Sequence, residues 1–219
     1  MRSRGVPSIL AAVVLLVLLS GCEQVFTYNV FQSLSRDPAN LSPEQQQAYA
    51  EAALESGDSE AMAEAYAALR DEALESEDPE LTSLTADLAL GASGVNDVVP
   101  ELAEQLLSGD SESGDSFESA LNEALGGISD TQALEDAAAL IEKTRENGGT
   151  VTEEQYVLGT AALVAKTAKD AEEEGKSFED LTASDFQDAQ DFASAAESDL
   201  TARGETSDTL TQLQDYVNT

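Results

Sequence analysis

The 219-residue chain is predicted to be all-α, and three observations carry that expectation. Its 42% hydrophobic content is weighted towards alanine and leucine, which with glutamate favour helices and let them approach closely. The β-branched alternation that marks strands is missing throughout. Apolar residues instead recur three and four apart, in segments bounded by helix-capping residues and turns.

Taken in order, "VFTYNVFQSLS" (25–35) places Phe26, Tyr28 and Phe31 close together. It reads as a first helix covering the core or as a short interfacial anchor, since aromatics favour the membrane boundary. "RDPANLSPEQ" breaks it. The next helix has Ser42 as cap, Pro43 at the first helical position and Gln45 three residues after the cap. It is expected to run to Ser56, with Tyr49, Ala52 and Ala53 on one face, and to stop at Gly57. A helix over 59–75 then aligns Met62, Ala65, Tyr66, Leu69 and Ala73. Asp78-Pro79-Glu80 restarts the chain with Leu81, Leu84 and Leu88 inward; Val95, Val98, Val99, Leu102 and Leu106 extend the pattern around Pro100.

"SGDSESGDS" (108–116) reads as a flexible linker. Its acids fail the EF-hand spacing, because counting from Asp110 the sixth position is Asp115 rather than glycine and the twelfth is Leu121 rather than glutamate. Phe117, Ala120, Leu121 and Ala124 then mark a short helix closed by Gly126-Gly127. Leu134, Ala137, Ala138 and Ile141 mark another, ended near "NGG" at 147–149. Thr152 caps a long helix carrying Tyr156, Leu163, Val164 and Thr167. Ser184 is the expected cap of a helix with Phe186, Ala189, Phe192 and Ala196, and a last helix over 207–217 presents Leu210, Leu213 and Val217. The total is nine or ten helical elements.

Ahead of all this stands "MRSRGVPSILAAVVLLVLLSGC". Arg2 and Arg4 precede an unbroken apolar run of eleven residues, Ile9–Leu19, which falls short of the about 20 needed to cross a bilayer core. Basic residues, a short apolar core and then small residues describe a secretory signal peptide. Its end, Leu19-Ser20-Gly21-Cys22, resembles the lipobox of bacterial lipoproteins. The resemblance implies cleavage between Gly21 and Cys22 and conversion of Cys22 into a lipid-modified first residue bearing diacylglyceryl and N-acyl chains of the palmitate type. Two or three such chains, at about 0.8 kcal/mol per buried methylene, hold a protein firmly where one is marginal. The expected organisation is therefore a removed signal peptide (1–21), a tether with the N-terminal helix (22–41) and one helical domain (42–219). With a single cysteine, no internal disulfide can form.

Cleavage would remove two arginines and no acid, leaving eight basic residues against 44 acidic ones, a net charge of −36. Such a surface repels nucleic acid and anionic headgroups. The acids are scattered along every segment, and lysines number four, which is the pattern of halophilic adaptation; a surface for cations or basic partners is the other reading. At 1 M salt the Debye length falls to about 3 Å, so self-repulsion is screened. Tm should accordingly rise between low salt and 1 M NaCl; a flat or falling series would remove salt adaptation as the cause of the acidity.

Chemistry-bearing residues are sparse. Without histidine there is no usual general base near neutral pH, no usual zinc ligand and no Ser-His-Asp triad. The one cysteine is assigned to lipid, and neither GxxxxGK[ST] nor a strand-to-helix GxGxxG occurs. Paired carboxylates could hydrolyse a glycoside, but nothing distinguishes one acidic pair from another. No enzymatic activity, metal or cofactor beyond the lipid is expected.

"AYAEAALESGDSEAMAEAYAAL" (48–69) resembles a tetratricopeptide helix pair, with a turn at Gly57-Asp58 and with Ala61 and Tyr66 near the family's small and aromatic positions. Leu90-Gly91, Leu125-Gly126 and Leu158-Gly159 recur at spacings of 35 and 33, near that family's period of about 34. The family's first-helix tryptophan is absent, and Gly126 ends a helix where Gly159 lies inside one. Two architectures remain open: a right-handed array of antiparallel helix pairs, or an irregular bundle. The resemblance implies a lipid-anchored scaffold on the extracytoplasmic face of the cell membrane or outer membrane, binding an envelope protein or peptide. Tyr49 and Tyr66 are its candidate groove residues, although tyrosines at this spacing also serve as core. The alternative is a helical carrier of a small ligand, or an accessory subunit of a solute-uptake system.

Overall fold

The structure, a computed structural model, describes residues 37–95, 126–128 and 130–218. The signal segment with Gly21 and Cys22, the tether as far as residue 36, the pattern at 98–106, the 108–116 stretch and the helix expected over 117–124 lie outside the described residues. The body treated below belongs to the compact unit Pro38–Thr219, which begins inside the "RDPAN" break.

Seven α-helices are present among the described residues: α1 (Pro43–Ser56), α2 (Ser59–Glu75), α3 (Pro79–Ser93), α4 (Thr131–Glu146), α5 (Glu153–Glu173), α6 (Gln187–Ala202) and α7 (Asp208–Val217). No strand occurs among these residues. The chain is all-α, as its composition predicts. The helix starts follow the capping logic of the sequence. The side-chain oxygen of Gln45 accepts from the Ser42 N–H at 3.2 Å. Asp58, Asp78 and Asp130 accept first-turn N–H groups of α2, α3 and α4 at 2.9–3.3 Å. Thr152 and Gln155 exchange hydrogen bonds across the start of α5. Each cap satisfies donors that the helix itself cannot. Gly57 ends α1 with φ of +67°, a left-handed conformation that glycine adopts without strain.

One helix start differs from expectation. Ser184 does not cap α6; a single 3₁₀ turn, Ala183–Phe186, precedes it. The Asp185 carboxylate accepts from the Thr182 N–H and hydroxyl, both at 2.7 Å. Thr182 thus caps the 3₁₀ turn, and α6 follows directly from Phe186 without a side-chain cap of its own.

The end of α2 has no glycine. Its last carbonyls are met from another helix: the Lys143 ammonium of α4 donates to the Leu74 carbonyl, and Asn147 donates to that of Ser76 at 3.5 Å. A cation at a helix C-terminus also meets the negative end of the dipole. One of the chain's four lysines thus joins two helices.

Each helix packs against the next in sequence, including α3 against α4, and α1–α3, α2–α4, α3–α5 and α5–α7 pack as next-but-one neighbours. Helix lengths vary from 10 to 21 residues, and Gly91 and Gly159 sit at different depths in α3 and α5, so the pairs are not equal repeats. In α3 every residue from Leu88 to Ser93 is buried; it is the central helix, touching α1, α2, α4 and α5.

Alanines at the crossings, among them Ala50, Ala65, Ala86, Ala137, Ala162 and Ala193, are nearly or wholly inaccessible. Leu88, Leu90, Leu134, Leu140, Ile141, Leu200 and Leu210 fill the space between them. Leu81 and Leu84, expected inward, are only half-buried at the edge of this core. A smaller cluster joins Val164, Phe186, Ala189 and Val217, with Phe178 and Leu181 against it.

Candidate functional site

Tyr49 and Tyr66 occupy different environments. Tyr49 in α1 is half-buried and donates to the Glu64 carboxylate at 2.8 Å. Burial, followed by that hydrogen bond and the charge of Glu64, pushes its phenol up to about 12. Tyr66 in α2 is 5% exposed and points inward, donating to Asp136 at 2.5 Å. It is a core residue rather than the lining of an open groove, with Tyr49 half-buried at the edge of the same core.

Tyr66 belongs to a polar cluster between α2 and α4. Asp136, itself 5% exposed, takes the Tyr66 hydroxyl and the Arg70 Nε–H on Oδ2, and the Gln132 amide at 2.9 Å on Oδ1. Arg70 also bonds Asp71 at 3.1 Å. Burial resists ionisation of Asp136, but the hydrogen bonds from Arg70, Tyr66 and Gln132 outweigh it and hold the carboxyl below its ordinary range. The same burial, with the Asp136 hydrogen bond, pushes the Tyr66 phenol well above its usual value.

A second cluster lies where α3 meets α5. The Gln155 amide donates to Ser83 at 3.0 Å and to Asp87 at 2.9 Å. Burial raises the Asp87 pKa; the Gln155 hydrogen bond opposes this and the Glu154 charge adds to it. A group whose folded pKa is raised costs nothing below its unfolded value near 3.8, and costs progressively more as pH rises through the folded value. Asp87→Asn keeps an acceptor for Gln155 and removes that cost. It should raise Tm at pH 7 by on the order of 2 °C, with the gain vanishing near pH 3; an equal gain at both pH values would show that the charge is not the cause.

The third cluster links α5 and α6. Tyr156 donates to Asp199 at 2.9 Å, Asp199 pairs with Arg203 at 3.3 Å, and Arg203 donates to the Val151 carbonyl at 2.9 Å. Tyr156 meets Phe192 edge to face with centroids 6.1 Å apart. At each cluster an acid, an amide or a scarce cation ties one helix to its neighbour. No buried side-chain nitrogen or oxygen among the described residues lacks a hydrogen-bond partner, and no group of three or more metal-ligating side chains occurs among them.

Asp136 and Asp199 do not stand out in the sequence as site residues. A signal for Asp136 exists: it falls between Ala133 and Leu140 at helical spacing, an acid on an apolar stripe. In a chain with 44 acids that signal carries little weight. Among the described residues no helix is long and apolar enough to cross a membrane. Comparison with family models, curated proteins and solved structures returns no match to this chain.

Proposed function

We propose that the protein is an extracytoplasmic lipoprotein, tethered through acylated Cys22, whose helical body serves as a scaffold for a protein or peptide partner of the cell envelope. The observation that carries the scaffold reading is the order of packing among the described helices. Each packs against the next, and four next-but-one pairs also touch; stacking of this kind, as in helical arrays, creates binding faces without any reacting group. The three polar clusters are consistent with it, since their hydrogen bonds run between neighbouring helices. The tether rests on Leu19-Ser20-Gly21-Cys22 and the apolar run before it.

Two experiments test the two halves separately. Metabolic labelling with a fatty-acid probe should mark the parent protein. Cys22→Ser should abolish the label, block processing after Gly21 and change membrane fractionation; an unlabelled parent, or a variant that fractionates unchanged, rejects the tether. Crosslinking and pull-down from intact cells should recover a stoichiometric envelope protein. A small molecule recovered by mass spectrometry of the natively purified protein, with no protein partner, would favour a carrier instead.

A further inference from the structure

We draw no further inference here: the strongest candidate, the half-buried Asp87 where α3 meets α5, with the charge of the exposed Glu154 acting on it, already accepts from the Gln155 amide, and nothing else among the described residues points to a ligand for it.

Discussion

Asp136→Ala should destabilise the protein by about 2–4 kcal/mol, measured as a lowered urea midpoint with an unchanged slope. The substitution leaves the Tyr66 hydroxyl, buried in α2, without its acceptor, and a buried donor so orphaned costs about 1–3 kcal/mol. It also strips the guanidinium of Arg70 of its buried partner, leaving it only the exposed Asp71. Arg70 is a third exposed, so water recovers part of that loss and the total falls short of the worst case for a fully buried pair. Tyr66→Phe removes only one of the bonds to Asp136, leaving Arg70 and Gln132 in place, and should cost about 1 kcal/mol. If the three groups act as one cluster, the double variant Asp136→Ala/Tyr66→Phe will lose less than the sum of the singles. Strict additivity, or a loss under about 0.5 kcal/mol for Asp136→Ala, would mean that the cluster does not join α2 to α4. The pH dependence has a definite sign. Because the folded pKa of Asp136 is depressed, its contribution is complete above the unfolded value near 3.8 and is lost as pH falls through the lower folded value. Asp136→Ala should therefore flatten the acid limb of the stability profile below pH 4.

Local rules foretold most of the described helices because each start is written in two or three adjacent residues. Ser42-Pro43, Asp78-Pro79 and Thr152 with Gln155 are such signals, and each cap forms where they stand. Ser184 misled because Thr182 and Asp185 close a 3₁₀ turn around it, and capping residue types alone do not tell such a turn from the first turn of an α-helix. Leu81 and Leu84 show a different limit. Helical spacing puts them on the inward stripe, where they do pack against the core, but does not say how deep each sits: both are half-buried, whereas every residue of α3 from Leu88 to Ser93 is buried. The order of packing was beyond reach, since α3 meets α4 across a long intervening stretch with no local marker for the contact.

The polar clusters were the least legible part. Asp87, Asp136 and Asp199 are three acids among 44, and only the partner helices single them out: Glu153–Glu173 for Asp87 and Asp199, Ser59–Glu75 for Asp136. Tyr66 illustrates the same limit. Its position on an apolar stripe was plain, but whether a phenol there faces a groove or an internal carboxylate depends on what α4 brings against it. Scarcity of cations is a global property that does help to locate the helix junctions. Arg70, Lys143 and Arg203 each reach from one helix to a group outside it, so a basic residue in this chain is a better pointer to a helix junction than an acidic one.

Gly159→Val should lower stability by roughly 3 kcal/mol or more, a fall in Tm of on the order of 6–12 °C for a domain of this size. Gly159 lies inside α5, where two helices close in on it. A Cβ built there would stand 2.7 Å from Cζ and 2.9 Å from Cε1 of Phe192, and 3.0 Å from Cδ1 of Ile141. Neither neighbour can retreat: Phe192 is 3% exposed with its ring held against Tyr156, and Ile141 is 1% exposed. Relief would require α4 or α6 to move away from α5, opening the alanine-lined crossings beside them. Alanine at the same position separates the opposing effects. It gains about 1 kcal/mol of helix propensity over glycine and loses about 1–3 kcal/mol to overpacking, so Gly159→Ala should be neutral to moderately destabilising. Gly91 in α3 provides the control. A Cβ there would meet Sδ and Cε of Met62 at 2.3 and 2.7 Å, closer than at Gly159, yet those atoms end a flexible side chain that can take another rotamer. Gly91→Ala should consequently be the less damaging of the two despite the shorter distance. The reverse order in thermal melts would mean that α5 is not clamped between α4 and α6 as these contacts require.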